Sequence, residues 1–163
     1  THTPQSIIYG TPKVEHPKRK IEGFHCTRSE VSGARLWGWA KRRFGDADSF
    51  FERFMVLNYC PLAFMEESGK NRTPDKLPAA ERAPIEEACN RALCRFIDYY
   101  RPEYIIGVGA FAEKQAKKAL AAVNSKSEVT IGRILHPSPA SPAANRGWEA
   151  AAEKQLDALG IEL

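Results

Sequence analysis

The apolar positions along this chain follow helical spacing in some stretches and form short continuous runs in others. Leu36, Ala40 and Phe44 recur four apart with Trp37 beside them, while Lys41, Arg42 and Arg43 fall mostly on the other side. That spacing predicts a helix that begins near Ser29 and ends at Gly45. Its basic end suits either a phosphate or a solvated helix C-terminus. Phe54-Met55-Val56-Leu57 is a short apolar run stopped by Asn58 and Pro61, which predicts a buried strand. A polar, turn-rich stretch covers 66–75. Ile85, Ala88, Cys89, Ala92, Leu93, Phe96, Ile97 and Tyr100 then keep three-four spacing. They predict a helix over 84–100, with Pro84 in its first turn and Pro102 ending it.

Tyr104-Ile105-Ile106 reads as a second strand closed by Gly107-Val108-Gly109, and a helix over 110–123 carries Phe111, Ala116, Ala119, Leu120 and Val123. A third strand over 129–135 runs into His136-Pro137-Ser138-Pro139. The last helix carries Trp148, Ala151, Ala152, Leu156 and Leu159 before Gly160 caps it. Strands joined through helices pair in parallel and cross over right-handedly, so the expected fold is an α/β, three-layer α/β/α sandwich with a central, mainly parallel sheet.

Residues 1–28 show little periodicity. Pro4, Pro12 and Pro17 break them and Lys18-Arg19-Lys20 makes them basic, so they read as an extended surface segment ahead of one α/β domain over 29–163. With 163 residues and 43% hydrophobic content, one core is the expectation. Lys and Arg number 24 against 20 Asp and Glu, a formal charge of +4 that is compatible with a polyanionic partner without demanding one.

Cys26, Cys60, Cys89 and Cys94 follow no metal-ligand spacing and read as reduced, mostly buried thiols. No apolar stretch approaches the ~18 residues of a membrane span, and no basic-then-apolar signal segment opens the chain. An intracellular protein is expected, nuclear in a eukaryote and cytoplasmic in a bacterium. The chain opens at Thr1 with a polar, proline-rich stretch, and its natural start is expected to lie further upstream.

In open parallel sheets, ligands bind outside the carboxyl ends of the strands. Asn58, the Gly107-Val108-Gly109 turn and His136 all lie at such ends. Each has an ordinary explanation: an Asx-turn for Asn58, a tight strand-to-helix turn for the glycines, and a surface position for His136. Their shared rim favours a site. The string from His136 through Pro137-Ser138-Pro139-Ala140-Ser141-Pro142 to Gly147-Trp148 is more specific, because three prolines hold a stiff wedge beside an imidazole.

With that string on view, the sequence resembles the single-strand-selective monofunctional uracil-DNA glycosylases of the uracil-DNA glycosylase superfamily. Glu15-His16-Pro17-Lys18-Arg19, Ser29-Glu30-Val31-Ser32-Gly33-Ala34-Arg35, Asn58-Tyr59-Cys60-Pro61-Leu62 and Ser68-Gly69-Lys70-Asn71-Arg72-Thr73-Pro74 carry the resemblance too. It implies a base-excision repair enzyme that hydrolyses the N-glycosidic bond of uracil, and of 5-modified uracils, in single- and double-stranded DNA. No cofactor, metal or lysine adduct is implied, and the protein is expected to be a monomer.

Asn58 matches the residue that reads the uracil edge, and His136 the catalytic one that hydrogen-bonds the other carbonyl as the leaving base gains charge. Gly107, Gly109, Ser68, Gly69, Lys70, Pro137, Ser138, Pro139 and Ala140 would grip the DNA backbone. The family's Gly-Met-Asn-Pro-Gly-type loop, which positions the attacking water, has no match, and the superfamily's strand before it is an inner member of the sheet. Ala140 stands where some relatives carry a wedge arginine, which implies a stronger preference for single strands. Two other readings stay open: a binding module that holds uracil or damaged DNA without cutting it, and a small-molecule α/β domain sharing only the topology.

Overall fold

The computed structural model describes residues 14–22, 25–27, 29–122 and 129–163. In chain order they form helices α1 (Val31–Phe44) and α2 (Ala47–Phe51), strands β1 (Phe64–Met65) and β2 (Asn71–Arg72), a 3-10 turn (Pro74–Lys76), α3 (Ala79–Tyr100), β3 (Tyr104–Val108), α4 (Ala110–Ala122), β4 (Thr130–Ile134), α5 (Pro142–Asn145) and α6 (Trp148–Asp157). The fold is mixed α/β, with a small parallel sheet and several helices.

β3 and β4 pair in parallel with Tyr104 opposite Thr130 and Val108 opposite Ile134. The β3 position that bears Gly107 lies against α4, where a Cβ would fall 2.3 Å from the Glu113 nitrogen and 2.7 Å from its Cα. Only a hydrogen there lets the helix backbone come so close to the strand. Arg133, the β4 partner of Gly107, reaches the Glu113 carboxylate at 3.3 Å. Residues one step along each strand point the other way: Ile134 is buried, and Ile106 and Val108 pack against the same core.

That core is aromatic. Trp39 of α1 meets Trp148 of α6 edge to face at 6.2 Å and Phe50 of α2 at 6.3 Å. Phe44 meets Phe50 at 5.3 Å and Phe54 at 5.6 Å, again in edge geometry. Ala152 and Leu156 of α6 close it beneath Ile134. The predicted helix at the start of the domain therefore forms, and Leu36, Ala40 and Phe44 face the core as their spacing implies, but Trp37 stays 46% exposed and the buried ring is Trp39.

Three expectations are corrected. The run 54–57 is no strand: the Phe54 amide is bonded to the Phe50 carbonyl at 2.9 Å, and Met55, Val56 and Leu57 are 55%, 38% and 41% exposed. A strand requires a neighbour offering backbone donors and acceptors. Among the described residues none pairs with this run, so two parallel strands form instead of three. Helix α3 begins at Ala79, which puts Pro84 beyond its first turn, at an exposed position. The predicted turn 107–109 narrows to Gly109, because Gly107 and Val108 are still in β3.

The close approach at Gly107 makes a direct test. Gly107→Ala should lower stability by about 1–3 kcal/mol, the usual cost of overpacking a backbone contact. Gly33→Ala, where the nearest atom to the new carbon is a carboxylate oxygen at 3.4 Å, should leave the thermal midpoint unchanged or raise it. Thermal unfolding of the two variants side by side decides; equal losses would remove the packing role given to Gly107.

Candidate functional site

Strand β4 ends at Ile134, and the next residue is held from outside the sheet. The Leu135 amide donates to Gln155 Oε1 at 2.7 Å, and the Leu135 carbonyl accepts from Trp148 Nε1 at 2.6 Å. Both partners are on α6, so this helix fixes the residue that launches His136. Across the strand end, the Gly109 amide donates to the Ile134 carbonyl at 2.9 Å. Gly109 has φ +92°, and a Cβ on it would fall 3.1 Å from His136 Cβ and 3.3 Å from Cδ2. The glycine turn and the imidazole predicted to share a rim are thus in contact.

His136 is exposed, while Pro137 behind it is buried. Its Nδ1 accepts the Ser138 amide at 3.1 Å. In the neutral ring the proton therefore resides on Nε2, which makes that nitrogen a donor. Residues 16–18 repeat the arrangement: the Lys18 amide donates to His16 Nδ1 at 3.2 Å, and His16 Nε2 donates to the Glu66 carbonyl at 3.1 Å. The molecule thus contains its own example of a His-Pro-x turn delivering an Nε2 proton to a carbonyl oxygen.

The N-terminus of α1 stands beside this loop. Glu30 caps the helix by accepting the Ser32 and Gly33 amides at 3.2 and 3.0 Å. Hydrogen bonding from Ser32, then from Gly33, and the nearby His136 hold its carboxyl below the usual glutamate range. One turn on, Arg35 Nη1 donates to the Pro137 carbonyl at 3.0 Å and the Ser138 carbonyl at 3.4 Å, and its Nη2 to Asn145 Oδ1 at 2.8 Å. Sequence reading assigned no task to Glu30, Arg35, Asn145, Trp148 or Gln155. For Arg35 the one available signal was its place in the Ser29-to-Arg35 string.

Asn58 is exposed, and Tyr59 anchors the chain next to it. The Tyr59 hydroxyl donates to Asn90 Oδ1 at 2.8 Å, and its ring meets Phe111 edge-on at 5.8 Å. Phe111 is in the first turn of α4, two residues past Gly109, so the chain beside Asn58 is pinned to the helix that starts at the glycine turn. Burial, followed by the negative potentials of Cys89, Glu86 and Cys60, pushes the Tyr59 phenol up to about 12. Burial and a hydrogen bond with Cys60 push the Cys89 thiol up to about 11. Cys89 and Cys94 are buried free thiols, as expected, whereas Cys26 is exposed and Cys60 half-buried.

Ser68, Gly69 and Lys70 form the tip of the β1–β2 hairpin. Gly69 is buried there beneath Lys18 and Arg19, and Arg19 Nε donates to its carbonyl at 2.9 Å. Ser68, Lys70, Lys18, Arg19 and Lys20 are exposed, so the hairpin and the segment tied to it present one basic surface. The described part of the N-terminal segment is therefore bound to the domain rather than merely extended over it. A groove of about 510 Å³ lined by Ala92, Arg95, Phe96, Tyr99 and Tyr100 lies on α3, outside these residues. It exposes positions 92, 96 and 100, three of those whose spacing predicted the helix. Among the described residues no group of three His, Cys, Asp or Glu is placed to hold a metal, and no helix is long and apolar enough to cross a membrane.

No protein-family model matches the chain. Its sequence is 45% identical over 151 residues to a single-strand selective monofunctional uracil DNA glycosylase of Bos taurus. The proteins of the same name from Mus musculus and Rattus norvegicus are 46% and 45% identical over 151 residues. Each alignment covers 93% of this chain but only 55%, 53% and 54% of the respective relative, so the chain spans about half the length of the curated proteins that it matches.

The Tyr59 anchor has a pH signature. Below pH 10 the phenol is neutral in folded and unfolded chains alike; above it the unfolded chain ionises first, so stability should fall as pH rises from the ordinary value of 10.0 towards about 12. Tyr59→Phe should flatten the stability profile in that window, measured by urea unfolding at several pH values. An unchanged slope would mean that the phenol is not held neutral by the fold.

Proposed function

Over 93% of its length this chain is homologous to the single-strand-selective monofunctional uracil-DNA glycosylases, and on that premise we propose that it excises uracil from DNA by hydrolysing the N-glycosidic bond. The observation that carries the reading is the His136 ring, whose Nδ1 is occupied by the Ser138 amide so that Nε2 is left to donate. A uracil flipped out of the strand would place one carbonyl at that donor. As the bond to the sugar breaks, negative charge grows on the base, and a preorganised donor stabilises it most when the charge is fullest. His16, donating from Nε2 to a carbonyl in the same local turn, is an internal precedent for the geometry.

Asn58 would read the rest of the edge, its amide donating to the second carbonyl and accepting from the ring N–H; cytosine presents the opposite pattern there. The positive sugar that remains is helped by the DNA's own phosphates. The DNA backbone is gripped on two sides: by Ser68, Lys70 and the basic residues packed over Gly69, and by the proline wedge from Pro137 to Ala140. Gly109 would let the strand approach the imidazole, and Gly107 acts beneath it by seating α4. In this reading the two parallel strands belong to a three-layer α/β/α sandwich, and single- and double-stranded uracil DNA are both substrates, with the missing wedge arginine at 140 favouring single strands.

Two substitutions test the assignment on a uracil-containing oligonucleotide. His136→Ala should cut single-turnover excision by roughly 10²- to 10³-fold, the usual loss when one donor to a developing anion is removed. Asn58→Ala should lose rate and selectivity for uracil over cytosine together. Unchanged uracil selectivity in the Asn58 variant refutes the base-reading role, and a protein that binds the oligonucleotide without releasing uracil is a binding module rather than a glycosylase.

A further inference from the structure

From the hydrogen bonds behind the proline wedge we infer that Arg35 is a positioning residue for His136, setting the imidazole through the carbonyls of the loop and touching neither base nor phosphate. The inference rests on the base-excision reading of the His136 site. Prolines 137 and 139 have no N–H, so over residues 137–139 the backbone offers a single donor, the Ser138 amide, and His136 Nδ1 takes it. The three carbonyls in the same stretch are bonded by groups outside residues 137–139. The Pro137 carbonyl accepts from Arg35 Nη1 at 3.0 Å, the Ser138 carbonyl accepts from the Ser141 amide at 3.0 Å with Arg35 Nη1 at 3.4 Å, and the Pro139 carbonyl accepts from Asn145 Nδ2 at 2.9 Å. Arg35 Nη2 closes the set by donating to Asn145 Oδ1 at 2.8 Å. One planar guanidinium on α1 therefore spans the loop and the side chain that completes it.

His16 shows what this arrangement adds. Its ring is held at both nitrogens, by the Lys18 amide and the Glu66 carbonyl. His136 has no protein acceptor at Nε2 among the described residues, as a ring meant to meet a ligand must not. Its orientation then depends on the Ser138 amide, and that amide is only as fixed as the carbonyls on either side of it. Lysine could keep the charge of Arg35 but is a single-point donor group without the planar fork.

Arg35→Lys is the deciding variant, studied in the protein labelled with nitrogen-15 and with uracil oligonucleotide. The expected result is a His136 Nδ1 resonance that loses its hydrogen-bonded position while the His16 ring resonances stay unchanged. Single-turnover excision should fall roughly 10- to 100-fold, as for a misplaced catalytic group, with oligonucleotide affinity and its salt dependence unaltered. A direct phosphate contact predicts the reverse: affinity largely kept by lysine, and in Arg35→Met a weaker binder whose salt slope drops by about one. Asn145→Ala removes one link of the same chain and should show a smaller shift in the same direction, which keeps the test decisive if the Arg35 variants unfold. An unchanged His136 resonance in Arg35→Lys overturns the inference. If that resonance moves but the unsubstituted protein releases no uracil, the positioning role stands and the glycosylase reading fails.

Discussion

The backbone of Leu135, bonded through both its amide and its carbonyl to α6, ties the sheet to the residue that carries the imidazole. Among the described residues β4 has a strand on one side only, so its last outward-facing backbone groups take no partners from the sheet. α6 supplies them, as Trp148 Nε1 and Gln155 Oε1 take the Leu135 carbonyl and amide. Trp148 is also the ring against which Trp39 packs edge to face. The aromatic core, the end of the sheet and the exposed imidazole are consequently one mechanical unit. Loosening the core loosens the histidine.

Much of this was legible in the chain before any coordinates. Spacing alone found α1, α3 and α4 and the pairing stretch of β3 and β4, because those elements meet their partners through apolar residues at regular intervals. The His136 string announced a stiff loop, since three prolines restrict a backbone whatever its surroundings. The glycines before α4 were rightly linked to His136, although only Gly109 makes the turn.

What stayed hidden was whatever depended on a distant partner. The run 54–57 has the composition of a strand, but composition cannot say whether another strand will lie beside it. The stripe at 92, 96 and 100 has helical spacing, yet spacing cannot say that part of a helix face will go uncovered. Arg35, Asn145 and Gln155 are ordinary polar residues on helices, and each matters for an oxygen or nitrogen far away in sequence. Backbone groups of the proline loop created their tasks, and no local pattern records such a debt. The likeness to uracil-DNA glycosylases covers 93% of the chain, but likeness along a sequence does not show which polar groups these supports bond.

Gly109 also limits how the site can change. Its positive φ already disfavours any other residue, and a methyl group there would press on the imidazole from below. Substitution at this position is therefore opposed twice, by its backbone conformation and by the ring lying against it. On the proposed reading, a wider choice of bases would therefore have to be reached through residues near Asn58 or along the prolines, because position 109 leaves the imidazole no room to shift.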